Sequence, residues 1–380
     1  MKLVVAMDSF KGSIDSLAAG EAVARGLGRA AAEAEVQVLP FADGGEGTVD
    51  AIIYDGGVRR TVAVTGPLGT PVDATYGIKG EVAVIEMAAA AGLTLVPPAA
   101  RDPRHTTTRG VGELILDAMD RGCRKFIVGI GGSATNDGGV GMLQALGFDF
   151  LDAAGAPVPH GAKGLAALAT VSTKAADQRL GGCEFFVACD VKNPLCGENG
   201  CSAIYGPQKG ATPETVQEMD AAMAQYAAIT QAILPRADAN HPGVGAAGGL
   251  GFAFHAYLGA TLTPGAPLVI RETGLEAAIK GADLVVTGEG RLDGQSAMGK
   301  APVAVAALAK KYQKPVIALA GCVAPEATAC HAHGIDAFFP ILRTPCTVAE
   351  AMQTATAAEN LAATAEQALR LWLCGRGTNV

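Results

Sequence analysis

Large side chains are scarce in this 380-residue chain. Aromatic residues make up 5%, and there is a single tryptophan. A core with so few rings must be closed by bringing backbones near one another. Charge is sparse as well: charged residues are 17%, the net charge is -8, and no block of like sign stands out. Nucleic-acid binding needs a basic face to neutralise phosphates, so that class is excluded. An anionic small ligand is not excluded, because a few local donors can hold it. The nine cysteines form no CxxC pair, and the closest two, Cys196 and Cys201, have four residues between them. Reduced thiols in the cytosol are the expectation. The longest uncharged stretch, 240–270, is broken repeatedly by glycine and proline, so no lipid-spanning helix is expected. Met1 and Lys2 lead straight into a strand-like apolar run with no secretory leader, which points to the cytoplasm. A Walker A loop, a GxSxG elbow and structural zinc spacing are all missing.

Glycine is abundant instead, at 50 residues, about twice its usual share. It shows no three-residue period, which excludes collagen. The N-terminal stretch reads strand 3–7, helix 16–33, strand 36–41, helix 49–54. Short apolar strands alternating with helices predict parallel pairing in an α/β layer. The style then changes. Strands 60–65, 73–77 and 82–87 lie close together across turns, as in an antiparallel meander. Helix 112–120, strand 125–130, helix 139–146, strand 185–189 and helix 212–232 follow. Past 265 the alternation returns, with strands 283–287, 316–320 and 337–341 and helices 302–311, 325–333 and 348–373. The prediction is a discontinuous α/β domain made of 1–57 and 266–380, with a mixed α/β domain inserted at 58–265.

Four polar loops follow strands of the first domain: 8–13, 43–48, 288–293 and 321–322. Ligands of open parallel sheets bind outside the carboxyl ends of the strands. Asp and Gly also simply form turns, but several such loops at one edge favour a site. Lys300, at a helix start, is unfavourable there unless an anion is bound. The densest motif is Gly131-Gly132-Ser133-Ala134-Thr135-Asn136-Asp137-Gly138-Gly139. Its glycines admit close approach, and its N–H groups and hydroxyls suit phosphate oxygens. The alternative is a tight strand-to-helix turn. Asp190, after strand 185–189, either holds Mg²⁺, accepts a hydroxyl proton, or forms an Asx turn. Thr106-Thr107-Thr108 reads as helix capping. The glycine cluster at 243–251 packs against another element or a nucleotide. His331 and His333 read as a solvated helix end.

In order along the chain, these blocks closely resemble bacterial glycerate kinases of the two-domain kind without a Walker motif. The resemblance rests on Asp8-Ser9-Phe10-Lys11, Ala42-Asp43-Gly44-Gly45-Glu46-Gly47-Thr48, Val84-Ile85-Glu86-Met87-Ala88 and 131–139. It continues through Asp190-Val191-Lys192-Asn193-Pro194-Leu195, Gly248-Gly249-Leu250-Gly251 and 287–293. Met7 departs from it, since proline is expected there. The resemblance implies ATP-dependent phosphorylation of D-glycerate, to 2-phosphoglycerate rather than 3-phosphoglycerate, in a cytoplasmic enzyme of glyoxylate metabolism. It implies a flavodoxin-like domain from the two chain ends and an inserted domain likened to restriction endonucleases. Lys11 and Arg291 would hold either the glycerate carboxylate or the transferring phosphoryl group. Asp190 would be the base or would orient the hydroxyl. Asp43 and Asp293 would contact Mg²⁺. Gly131, Gly132, Ser133, Thr135, Asn136, Asp137 and Lys300 would hold the nucleotide, with an interdomain cleft closing to exclude water. Two other classes stay open: a non-catalytic glycerate sensor, and an NAD-dependent hydroxyacid dehydrogenase. The expected partner is a small molecule, with no nucleic acid or membrane, and self-assembly is left open.

Overall fold

Leu3, Val4, Val5, Ala6 and Met7 are all buried, so the strand Lys2–Met7 must be covered on both faces. It lies inside a five-stranded sheet with Glu35–Val38, Leu284–Leu292, Val316–Val323 and Ala337–Pro340. Every pairing is parallel. Numbered in chain order within this sheet, the strands run 2-1-3-4-5. The order reverses between the first and third strands, and at such a switch point a crevice opens beyond the carboxyl ends. The computed structural model describes residues 1–376. This sheet belongs to a unit formed by Met1–Asp55 and the chain from Ala266 onward.

The helix Ser16–Ala30 starts where Asp15 accepts the Ala18 N–H at 2.8 Å. Its Ala19, Val23 and Leu27 share a core with Leu3, Val5, Leu361, Ala365 and Leu369. It packs on the final helix, Thr354–Gly375, at very short range. A Cβ added at Gly26 would lie 1.9 Å from the Ala362 carbonyl oxygen. The exposed Arg29–Glu359 ion pair beside this contact adds little.

The second unit is Gly56–Gly265. Its six-stranded sheet runs Thr261–Thr263, Glu184–Ala188, Lys125–Gly129, Val82–Glu86, Pro71–Lys79, Val58–Thr65. The last three pair antiparallel and the others parallel, so the sheet is mixed. The few aromatics concentrate here. Phe126 stacks on Phe185 at 4.8 Å, and Tyr226 meets Phe252 edge-on at 5.3 Å.

Several local expectations are corrected. The strand expected to end at 287 continues to Leu292, pairing Arg291 with Cys322 and Leu292 with Val323. Much of the expected loops 288–293 and 321–322 is therefore strand. Glycines permit it: a Cβ at Gly321 would lie 2.6 Å from the Gly290 carbonyl oxygen. Met7 fills space beside the same strand, its Cε 2.5 Å from where a Gly288 Cβ would be. The single helix expected over 348–373 breaks into Val348–Ala351 and Thr354–Gly375. Thr347 and Glu350 cap the first piece reciprocally, and the Thr354 hydroxyl ties the second to the Ser13 carbonyl at 2.7 Å. The segment 325–333 winds as a 3₁₀ helix, Pro325–His333.

The cluster at 243–251 is a packing device. Ala247, Gly248 and Gly249 are left-handed within Ala246–Leu258, and a Cβ at Gly248 would lie 2.1 Å from the Thr135 carbonyl oxygen. The spacing of Gly243, Gly245 and Gly248 matches GxGxxG, but no strand leads into it. No described helix is long and apolar enough to cross a membrane.

Gly26→Ala is expected to lower the unfolding free energy by about 1–3 kcal/mol through overpacking. Gly28→Ala, where nothing lies within 4 Å, is expected to be neutral or to stabilise by up to about 1 kcal/mol. Urea unfolding followed by fluorescence of Trp372, in the final helix, reads both. Equal stability of the two variants would contradict the close helix contact.

Candidate active site

In the first unit the strand ends build a pocket of about 560 Å³, with charged groups set in a largely apolar lining. Asp8 follows the first strand directly. Its N–H donates to the Gly288 carbonyl at 2.9 Å, and its Oδ1 accepts the Ser9 N–H at 2.7 Å. Asp43 comes from the loop after the second strand, where left-handed Gly44 and Gly47 turn the chain into Thr48–Ile53. Glu289 and Arg291 come from the extended third strand, and Asp293 from the turn after it. Asp293 Oδ1 accepts the N–H groups of Gln295 and Ser296, and its Oδ2 lies 3.4 Å from Arg291 Nε. Lys300, the residue before the helix Ala301–Lys311, reaches Gln295 Oε1 at 3.1 Å. Lys11, exposed, completes the lining from the first loop.

These groups act on one another electrically. Asp8 is 8% exposed, and its pKa is pushed up to about 7. Burial is the largest cause, and Asp43 and Glu289 add repulsion that the Ser9 N–H and Lys11 offset only in part. Glu289 is buried to the same degree, and its pKa is also raised, by burial first. The Ser296 hydroxyl, which donates to it, and Lys300 pull the other way. The Ser9 hydroxyl is buried at this edge with no hydrogen-bond partner in the protein.

Among the described residues, no three His, Cys, Asp or Glu side chains gather tightly enough to hold an ion by themselves. Mg²⁺, however, usually keeps several waters and takes one or two carboxylates plus substrate phosphates. Mutually repelling carboxylates beside a pocket with lysine and arginine fit that mode of binding.

The other candidates lie in the second unit. Gly131 and Gly132 are exposed, but Ser133, Thr135, Asn136 and Asp137 are buried. Asp137 is fully occupied inside the protein. Its Oδ2 accepts the Thr108 N–H and hydroxyl, both at 2.8 Å, and its Oδ1 accepts the Gly139 N–H at 3.1 Å. Of Thr106-Thr107-Thr108, expected to cap a helix, Thr107 does so: its hydroxyl accepts the N–H of Arg109, the first residue of the helix Arg109–Asp120, at 3.2 Å. Thr108 makes no side-chain cap, and its hydroxyl accepts the Met142 N–H while donating to Asp137. Thr106 donates to the Ala134 carbonyl at 2.9 Å. Asn136 donates to the Ser202 hydroxyl at 2.9 Å. Asp190 is exposed, and its Oδ1 accepts the Gly265 N–H at 3.2 Å.

Three residues were given no role by sequence reasoning, although two of them lie in the loops it singled out. Asp8 and Glu289 carry the strongest perturbation in the first pocket, and a carboxylate directly at a strand end was the available signal. Lys209 gave no signal. It is 2% exposed beneath the glycine-rich loop, where its Nζ donates to Thr135 O at 2.6 Å and Ser133 Oγ at 2.8 Å. Burial brings its pKa down to about 8. So the structure brings Lys11, Asp43, Arg291, Asp293 and Lys300 to one pocket, while Asp190 and 131–137 lie in the second unit.

A model of the glycerate kinase family matches residues 3–373. Glycerate 2-kinase of Escherichia coli K12 is 47% identical over 372 residues, covering 96% of this chain and 98% of the relative. Glycerate kinase of Halalkalibacterium halodurans is 47% identical over 354 residues, covering 92% and 93%. A crystal structure described as glycerate kinase 2 from Salmonella typhimurium LT2 is similar at a TM-score of 0.91 and 46% identity, covering 99% of both chains.

The raised pKa of Asp8 sets a pH dependence. Between its ordinary value of 3.8 and about 7 the folded state binds more protons than the unfolded one. Stability therefore falls as pH rises through that window, by at most about 1.4 kcal/mol per unit from this group. Asp8→Asn should remove that slope, so the variant gains on the wild type as pH rises from about 4 to about 7. Urea unfolding across that range checks it, and a pH-independent difference would contradict the assigned burial of Asp8.

Proposed function

The chain belongs to the glycerate kinase family and is a kinase, and from that premise we propose that it transfers the γ-phosphoryl group of ATP to the 2-hydroxyl of D-glycerate. The observation that carries this reading is the pocket in which Lys11, Arg291 and Lys300 meet Asp8, Asp43, Glu289 and Asp293. Cations hold anionic reactants, and carboxylates beside them suit Mg²⁺ carried in with a nucleotide. The choice of the 2-hydroxyl follows the Escherichia coli relative, named glycerate 2-kinase. The strand order 2-1-3-4-5 supports reading the first unit as flavodoxin-like.

In-line phosphoryl transfer depends mainly on positioning and charge neutralisation. Lys11 and Arg291 take the glycerate carboxylate or the transferring phosphoryl group. Asp43 and Asp293 contact Mg²⁺, whose chemistry would be to neutralise charge on the phosphate oxygens. Lys300 and the exposed backbone of Gly131 and Gly132 face phosphate oxygens. The buried Ser133, Thr135, Asn136 and Asp137 act by fixing the shape of that loop. Asp190 accepts the hydroxyl proton or orients the hydroxyl. The sensor and dehydrogenase alternatives are not favoured: the named relatives are kinases, and the GxGxxG spacing at 243–248 has no strand before it.

Incubation with D-glycerate and Mg-ATP, followed by phosphorus NMR, should show 2-phosphoglycerate. ADP formation no greater than in a glycerate-free control would reject the reading, and 3-phosphoglycerate would reject its regiochemistry. Asp190→Asn should lower kcat by about 10²–10⁴-fold with the fold intact by circular dichroism. Unchanged turnover would remove Asp190 from the mechanism.

A further inference from the structure

The pocket of the first unit is far larger than a three-carbon acid requires. Its volume of about 560 Å³ lies in the range of sites for cofactor-sized ligands, which are mostly apolar with a few placed polar groups. Its lining is divided in the same way. One part carries Lys11, Arg291, Lys300 and the carboxylates. The other carries Phe10, Ile341, Leu342, Val348 and Met352. Val348 is 75% exposed, Leu342 45% and Met352 41%, so three large apolar side chains within one short segment stand open. Apolar surface gathered beside a charged site marks a binding surface rather than ordinary exposure. The two parts adjoin: Met352 Cε lies 3.1 Å from where a Cβ on Gly12 would sit, directly after Lys11.

Glycerate offers no apolar surface to such a wall. A flat heterocyclic base bearing a polyphosphate tail matches both parts at once, with the base against the wall and the phosphates toward the three cations. We infer that the apolar wall formed by Phe10, Ile341, Leu342, Val348 and Met352 seats the nucleoside of the phosphoryl donor. The inference rests on the kinase reading above. It assigns the donor's base to the first unit, independently of the glycine-rich loop of the second.

Three exposed cysteines supply the test. Cys322 and Cys346 line this pocket, whereas Cys374, in the final helix, does not. Alkylation by N-ethylmaleimide is followed at each thiol by mass spectrometry, on the full chain, with ADP, with D-glycerate, or with neither. With ADP at about ten times its calorimetric Kd, Cys346 and Cys322 should react about tenfold more slowly, and Cys374 at its original rate. D-glycerate alone should leave Cys346 unprotected. Val348→Asp should weaken ADP binding and remove the protection of Cys346; the wild-type result stands if that variant does not fold. Undiminished labelling of Cys346 at saturating ADP, or equal protection by D-glycerate, would overturn the inference. Labelling needs no turnover, so a failure of the kinase reading appears separately, as absence of phosphoglycerate in the NMR assay.

Discussion

The parallel pairing of Lys2–Met7 with Leu284–Leu292 is the contact on which the candidate site depends. Its register sets Leu3 against Leu284 and Met7 against Gly288. That register brings Asp8 and Glu289, each just past the Met7–Gly288 pair, to the same sheet edge. Glu289 has Asp293 near it in its own stretch, but only the pairing brings it to Asp8. A shift of one residue would turn one of them to the other face. Backbone ladder bonds therefore set which carboxylates meet at the pocket.

The same geometry places the pocket under charge strain. Asp43 raises the proton affinity of both Asp8 and Glu289, and burial does more. A protein selected for stability alone would not keep carboxylates there. Perturbed groups of this sort gather where a cation or a reacting proton must be handled. The glycine-rich loop of the second unit is built differently. Asp137 and Lys209 spend their hydrogen bonds inward, on threonine, backbone and serine partners, so the loop is held rigid from below while Gly131 and Gly132 stay open. One region stores electrostatic tension, and the other supplies shape.

The polar loops were legible because each follows a short apolar run, and local pattern is enough to see that. Lys11, Asp43, Arg291 and Asp293, which line the pocket, lie in or beside such loops, whereas Lys300 was read from its place at a helix start. What local pattern cannot show is a contact made through the fold. Leu284–Leu292 was read too short because glycine and arginine suggest a loop, whereas pairing with Val316–Val323 carries the strand onward. Thr108 resembled a cap because it precedes a helix, but its hydroxyl belongs to Asp137, 29 residues away. Lys209 was invisible, since nothing around it in sequence says that a lysine will be buried. The break before Thr354 was hidden by an alanine-rich run that would sustain a helix through it.

The discontinuous first unit has a consequence for synthesis. When residues 1–55 emerge from the ribosome, the central partner strand is still some 230 residues from being made. At typical elongation rates that interval is roughly ten to forty-five seconds. Throughout it, Lys2–Met7 presents an open edge of unpaired backbone groups, apolar on both faces. The second unit, continuous from Gly56 to Gly265, is complete on the ribosome before the first can close. The nascent chain is thus exposed to aggregation at its own beginning, and protection of that edge is a task for whatever receives the chain in the cell.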